Sequence, residues 1–250
     1  MGSQQGQPNM TNISIVIPAR NEAENIGALV QAIDLALQPF GGFEIIVVDD
    51  GSTDATGARV KALQMPHVRL LRHPNSAGQS AAVHTGVLAA CSPLICTLDG
   101  DGQNPPEELP KLVAPLLADM AGVIGLVAGQ RVKRQDTWSK KIASRLANGI
   151  RGWLLQDGTR DTGCGLKAFR RDAFLALPYF DHMHRYLPAL FARDGWQVAH
   201  VDVSHRPRVA GSSNYSNLQR ALVGAVDLLG VAWLLRRKKK AKALPEETHV

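Results

Sequence analysis

Apolar residues in this chain fall into short β-branched runs separated by stretches with a 3.6-residue period. Ile13–Ile17 is the first run, and it closes at Pro18, which cannot donate a ladder hydrogen bond. From Asn21 onward the apolar positions are Ile26, Leu29, Val30, Ile33 and Leu37, a helical spacing ended by Pro39 and Gly41–Gly42. Phe43–Val48 predicts a second strand, Val68–Leu71 a third, Ser80–Ala90 a helix and Pro93–Leu98 a fourth strand. Val123–Ala128 predicts another strand. Trp138, Ile142, Leu146, Ile150, Trp153 and Leu154 then recur at helical spacing, with Lys140, Lys141, Arg145 and Arg151 on a solvated basic face. Asp161–Arg170 begins with small residues in a tight turn, which suits close approach to a ligand or another loop, and ends in a short strand. Met183–Arg193 predicts a helix, Trp196–Val203 a strand, and Asn217–Leu235 a last helix.

Strands alternating with helices at this spacing predict a parallel sheet with helices on both faces, and such sheets bind ligands beyond the carboxyl ends of their strands. Three loops lie at those ends: Pro18–Glu22, Asp49–Asp50 and Asp99–Gln103. The third carries two carboxylates one residue apart. Such a pair repels unless a cation sits between the oxygens, so Asp99 and Asp101, with the Gln103 amide, are candidate ligands of a hard divalent ion. Gly100 is expected to keep the space between them open. The alternative is an acidic turn before a helix, with Asn104 as N-cap, Pro105 at the first helical position and Glu107 in the first turn. Neither GxGxxG nor GxxxxGK[ST] occurs at these turns, so a dinucleotide site and a P-loop are unsupported.

The net charge of +6 is local: without residues 236–250 the chain carries 22 basic and 20 acidic groups. That argues against a nucleic-acid-binding face spread over the fold. The last helix has an apolar part of 15 residues, Ala221–Leu235, interrupted by Asp227. A bilayer span needs roughly 20. With Trp233 near its end and Arg236–Lys240 following, it predicts an interfacial helix with a polybasic anchor to a membrane surface. Cys91, Cys96 and Cys164 form no CxxC pair and predict a reducing compartment. Residues 1–11 predict a disordered lead-in without the apolar core of a signal peptide. The expected layout is therefore one catalytic domain over 12–215, an amphipathic helix over 216–235 and a basic tail over 236–250.

Three motifs in order, Ile17-Pro18-Ala-Arg20-Asn21-Glu22, Val47-Val-Asp49-Asp50-Gly-Ser-Thr-Asp54 and Leu98-Asp99-Gly100-Asp101-Gly-Gln103-Asn104, resemble the signature of family 2 inverting glycosyltransferases. The chain is most similar to the polyprenyl-phosphate sugar synthases, including the dolichyl-phosphate mannose synthase group, from about Asn12 to Leu235. The resemblance implies a GT-A fold, a Rossmann-like and mostly parallel sheet. It implies that Pro18, Glu22 and Asp49 hold the base and ribose of a GDP- or UDP-sugar, and that Asp99, Asp101 and Gln103 hold Mg²⁺ or Mn²⁺ on its diphosphate. Arg20, Asn21, Val47, Asp50 and Gly100 join the donor-binding set by the same likeness. Arg131 matches an arginine that bridges donor diphosphate and acceptor phosphate in relatives, and Arg145 a second acceptor-phosphate arginine. Arg208 matches a basic residue that closes over the donor. Asn214 stands where many relatives carry a lysine, which removes a charge near the leaving diphosphate.

The implied reaction is sugar transfer to a polyprenyl phosphate on the cytoplasmic face of a membrane, with Asp101, Arg131 and Arg145 as catalytic residues. Its rival is a family 2 transferase acting on a glycan or other hydroxyl, for which Asp161 is a candidate base. A sugar-1-phosphate nucleotidyltransferase would need a glycine-rich, basic first loop, and Pro18–Glu22 is acidic and glycine-free. A non-catalytic binding module sits poorly with intact Asp99, Asp101, Gln103 and Arg131. The sequence leaves the donor sugar and the oligomeric state open.

Overall fold

The computed structural model describes residues 12–132, 149, 151–155, 157–206 and 217–237. The lead-in over 1–11 and the tail beyond Arg237 lie outside them. Seven strands form one sheet: β1 (Ile13–Ala19), β2 (Phe43–Asp49), β3 (Val68–Arg72), β4 (Leu94–Thr97), β5 (Ile124–Arg131), β6 (Lys167–Arg170) and β7 (Gln197–Val203). Their order is β3-β2-β1-β4-β6-β5-β7. Every neighbouring pair is parallel except the two involving β6, which runs against both β4 and β5. The expected parallel sheet therefore carries one reversed strand. Its reversal brings the chain before Lys167 to the carboxyl ends of all the others.

The helices are α1 (Ile26–Leu37), α2 (Thr56–Ala62), α3 (Gln79–Ala89), α4 (Leu109–Ala118), α5 (151–155), α6 (Arg171–Leu175), α7 (Leu187–Asp194) and α8 (Asn217–Arg236). All five apolar positions predicted for the first helix are buried in α1. Alternate strand residues feed two cores, as the period-2 pleat requires. Ile15, Val47 and Cys96 pack with α1, α2 and α4 on one face, whereas Val16, Ile46 and Ile95 pack with α3, α6 and α7 on the other. The second core also takes in Val231 of α8, which fastens that helix to the body.

Four expectations change. The first strand passes through Pro18 and ends at Ala19. Ala19 accepts a hydrogen bond from the Asp50 N–H (2.9 Å), so its backbone faces β2, and Pro18, one residue earlier, faces β4. Since β4 pairs only as far as Thr97, opposite Val16, no ladder bond is lost there. The predicted helix over Met183–Arg193 splits into a 3₁₀ turn, Met183–Arg185, and α7, because Pro188 is confined to a helix's first turn. Arg151, expected on a solvated face, is buried: Nη2 donates to Asp157 Oδ2 and Nη1 to the Thr159 carbonyl (3.3 Å), while Trp153 is exposed. Asn104 is not a helix cap. α4 begins at Leu109 after a 3₁₀ turn, and no side chain caps either element.

Gly86 of α3 lies where a Cβ would stand 2.3 Å from Val16 Cγ1 and 3.2 Å from Val48 Cγ2, so the helix sits directly on the sheet. Gly86→Ala would gain about 1 kcal/mol of helix propensity. Forcing a methyl into a filled core costs about 1–3 kcal/mol, and here the opposing atoms belong to buried strand residues that cannot step aside. The expected outcome is net destabilisation, read as a lower urea midpoint at unchanged slope.

Candidate active site

The crevice is assembled from strand ends that bind one another before they bind anything else. After β1, Asn21 takes a left-handed conformation (φ 56°), which Asn tolerates better than most residues. Its Oδ1 accepts the Thr53 N–H (2.9 Å), and its own N–H donates to Ser52 Oγ (3.0 Å). Glu22 N–H donates to Thr56 Oγ1 (2.8 Å), and Ala23 N–H to Asp54 Oδ2 (3.1 Å). The loop after β1 is thus stitched to the loop after β2 along its length. Glu22 Oε2 also accepts from Asn25 Nδ2 (2.8 Å), and Arg20 beside it is exposed.

At the end of β2 the two aspartates are turned inward. Asp49 is fully buried, its oxygens accepting from Ser52 N–H (2.9 Å) and Arg72 Nε (2.8 Å). Asp50 accepts four hydrogen bonds from one segment: His73 Nδ1 (2.7 Å), Ala77 N–H (2.8 Å), Ser76 Oγ (2.7 Å) and Gly78 N–H (2.9 Å). Burial alone would raise its pKa, but these donors outweigh that and hold it below the usual carboxylate value. Asp50 therefore organises the segment 73–78 that leads into α3. The next residue, Gln79, donates from Nε2 to Asp99 Oδ1 (2.7 Å).

Asp99 is the centre. Besides Gln79 it accepts from Asn104 Nδ2 (3.3 Å), and Gly165 is packed so tightly against it that a Cβ would stand 2.3 Å from Oδ2. Its pKa is raised, first by burial and next by the charge of Asp101, against the opposing pull of Lys167 and Arg131. Two carboxylates close enough to repel, in a partly dry site with hard oxygen donors, fit a divalent cation. Among the described residues no three His, Cys, Asp or Glu side chains form a cage. Asp101 Oδ1 meanwhile accepts the Gln103 N–H (3.1 Å). The expected part for Gly100 is corrected: a Cβ there would meet Ala19 Cβ and the Pro18 carbonyl at 3.2 Å, so glycine lets the loop press on the end of β1. The chain leaving β7 closes the other side, with Ser204 Oγ donating to Glu108 Oε1 (2.7 Å) and Arg206 N–H to the Gln103 carbonyl (3.0 Å).

Arg131 ends β5 and is clasped by Asp161 through Nε (2.5 Å) and Nη2 (2.8 Å). Gly163 follows at 3.1 Å from that same Nη2, measured from a built Cβ. The small-residue run predicted to permit close approach does so twice, at Arg131 and at Asp99. Between this run and residues 184–187 lies a cavity of about 250 Å³, whose wall includes Pro18, Gln79, Asp99, Lys167, His184 and Arg185. Lys167 is buried and donates to the Cys164 carbonyl.

The structure thus draws Pro18, Asp99, Gly100, Asp101, Gln103 and Arg131 to one mouth. Val47 is corrected: it is a core residue under α1 with no exposed surface, because its place in β2 points it away from the crevice. Arg145, Arg208 and Asn214 lie outside the described residues. Sequence reasoning missed Gln79, Lys167, His184 and Arg185. Lys167 alone carried a signal, a charge at the start of β6 between the apolar residues Leu166 and Ala168. The other three belong to segments far away in sequence.

Comparison with known proteins agrees with this geometry. The family profile described as "Glycosyl transferase family 2" matches residues 14–177. A dodecaprenyl-phosphate galacturonate synthase of Rhizobium johnstonii is 32% identical over 91% of this chain and 68% of its own length. An undecaprenyl-phosphate 4-deoxy-4-formamido-L-arabinose transferase of Enterobacter sp. is 36% identical over 82% of this chain and 62% of its own. The chain thus spans about two thirds of the length of these relatives. Among solved structures, glucosyl-3-phosphoglycerate synthase from Mycobacterium tuberculosis, in complex with Mn²⁺, UDP-glucose and glycerol 3-phosphate, superposes with a TM-score of 0.68 at 21% identity, over 90% of this chain and 80% of that one. That likeness establishes the GT-A-like fold. Carried by the family profile over most of the sheet and by relatives above 30% identity, the three strand-end motifs have one meaning: the chain belongs to glycosyl transferase family 2.

Proposed function

We propose that this chain transfers a sugar from a nucleoside-diphosphate sugar to a polyprenyl phosphate. The observation that carries the choice of acceptor is the bidentate Arg131–Asp161 pair. A hydroxyl acceptor needs a base, and Asp161, the candidate for that task, has both oxygens committed to a guanidinium. A phosphate monoester is already ionised at neutral pH, with its second pKa near ~6, and needs no base. The two relatives, a dodecaprenyl-phosphate and an undecaprenyl-phosphate sugar enzyme, support the same reading.

In this reading Pro18, Arg20, Asn21 and Glu22 meet the base and ribose, and Asp49 and Asp50 act beneath them by fixing the loops. Asp99, Asp101 and Gln103 would hold Mg²⁺ or Mn²⁺, which supplies charge neutralisation at the departing diphosphate. Arg131, aimed by Asp161, orients an acceptor-phosphate oxygen in line with the anomeric carbon. That oxygen forms the new bond as the bond to the donor's β-phosphate breaks, and the nucleoside diphosphate leaves with the electron pair. Arg145 is proposed as a second ligand of the acceptor phosphate, and Arg208 and Asn214 as neighbours of the donor.

The acceptor's lipid calls for a membrane surface, and α8 offers one. No helix of the described residues is long and apolar enough to cross a membrane. Instead Val223, Val226, Leu229 and Trp233 form an exposed apolar stripe on the side opposite Val231 and Ala232. Arg237 lies 5.6 Å over the Trp233 ring at the end where the basic run begins. An apolar stripe ending in cations suits the boundary of an anionic leaflet, and we place the chain peripherally on the cytoplasmic face.

Three outcomes are expected. Incubation with a labelled nucleotide sugar, undecaprenyl phosphate and Mn²⁺ should put label in lipid; label appearing only in added glycans would sink the reading. Asp101→Ala should lower transfer by about 10³-fold, and Gly165→Ala, which displaces Asp99, by about 10²-fold, both with unchanged far-UV circular dichroism. Val226→Glu with Leu229→Glu should cut binding to phosphatidylglycerol vesicles at least tenfold without lowering the urea midpoint, since both side chains are exposed.

A further inference from the structure

The cavity beside Asp99 has a wall not yet assigned. It is formed by the 3₁₀ turn Met183–Arg185 and the start of α7, opposite the 162–165 run. Its ionisable lining groups are Asp99, Lys167, His184, Arg185 and Cys164, whose thiol is kept neutral by burial. His184 is tied through Nδ1 to Ser80 Oγ (2.7 Å), and burial, with Lys167 nearby, pushes its pKa well down, so it is neutral at pH 7. The balance is two cations against one carboxylate. A divalent ion on that carboxylate would make the cavity more positive still.

These groups differ in what already engages them. Asp99 accepts from Gln79 and Asn104, and Lys167 is directed at a backbone carbonyl. Arg131, packed behind Gly163 of the cavity wall, has two of its five side-chain donors on Asp161. The Arg185 guanidinium makes no hydrogen bond or ion pair with any described residue, yet the residue is partly buried in the cavity wall. A guanidinium taken partly out of water without a partner is costly, and an arriving anion that accepts its planar fork removes that cost.

The turn that presents it is held from two sides. Consecutive residues of α3 reach across the cavity, Gln79 to Asp99 and Ser80 to His184, which fixes the spacing between the cation loop and the turn. On the far side the turn is bonded to α8: His182 Nδ1 lies 2.9 Å from Asp227 Oδ2, and Tyr186 Oη donates to the Gly224 carbonyl (3.3 Å). His182 takes a left-handed conformation (φ 64°) at that junction, a strained geometry that its Asp181 and Asp227 partners maintain. Arg185 therefore sits between the Asp99 carboxylate and the helix that carries the exposed apolar stripe.

We propose that Arg185 is a substrate-binding residue of the transferase, receiving the phosphate of the lipid acceptor as it enters from the α8 side and holding it opposite Arg131. This assignment rests on the polyprenyl-phosphate reading above. The lipid tail stays with the membrane at α8 while its phosphate bridges two guanidinium groups that approach from different elements, one after β5 and one before α7. Bidentate contact from both sides leaves one phosphate oxygen turned toward Asp99, where the donor's diphosphate is held. Lys167 sets the positive background without touching the acceptor.

The test is steady-state kinetics of the full chain with undecaprenyl phosphate and the donor varied separately. Arg185→Ala should raise KM for undecaprenyl phosphate at least tenfold and leave KM for the donor, and acceptor-independent donor hydrolysis, within about threefold. Arg185→Lys should recover part of the acceptor affinity, because charge is restored without the fork. Should Arg185→Ala fail to fold, Arg185→Gln, which preserves the stem's packing, is read the same way. An unchanged acceptor KM in Arg185→Ala, alongside a wild type that does transfer to lipid phosphate, overturns the role of Arg185 and leaves the proposed function standing, and a parallel rise in the variant's donor KM also overturns that role. A wild type that transfers only to hydroxyl acceptors overturns the proposed function itself, and this inference with it.

Discussion

The repulsion between Asp99 and Asp101 is the constraint that the rest of the structure serves. A carboxylate at the end of a buried strand, pressed on by Gly165 and faced by a second carboxylate one residue on, is unfavourable in isolation. The fold keeps it there by indirect support. Asp50 collects four donors from the segment 73–78, that segment starts α3, and α3 delivers Gln79 to the Asp99 oxygen. Lys167 arrives from the opposite direction as a buried cation whose field lowers the cost of the charge. Removing any of these would raise the cost of keeping a charged carboxylate at that position.

The reversed strand β6 is what makes this possible in an otherwise parallel sheet. Parallel strands present only their carboxyl ends to the crevice. A single antiparallel strand lets the chain enter from the crevice side, so the run Asp161–Gly165 lies directly against Asp99 and Arg131. Small side chains are required there because two charged groups occupy the space that Cβ atoms would fill. Glycine at 163 and 165 is a packing requirement of the site rather than a mark of mobility.

The cavity and the last helix meet at one short turn. Residues 182–186 contact α3 on one side and α8 on the other. The helix that carries the exposed apolar stripe is therefore mechanically continuous with the wall of the cavity. For an acceptor whose reactive phosphate is carried on a hydrocarbon tail, this connection solves a geometric problem, since the tail can stay at the surface while the phosphate reaches inward.

The sequence by itself determined the strands, most of the longer helices and the three motifs. Period-3.6 patterning picked out all five buried apolar positions of α1, and the three acidic strand ends pointed to one crevice because strand order in a doubly wound sheet leaves them nowhere else to converge. Only tertiary structure decided which of those residues face a ligand. Val47 and Asp49 share a motif with residues at the mouth, yet both are buried, because pleat direction and inward hydrogen bonding are settled by neighbours from other strands. The same holds for Gln79 and His184, whose partners lie 20 and 104 positions away, and for Pro18, whose tolerance within a strand depends on where β4 stops. Local pattern fixes the period of the chain, and long-range pairing fixes what each side chain meets.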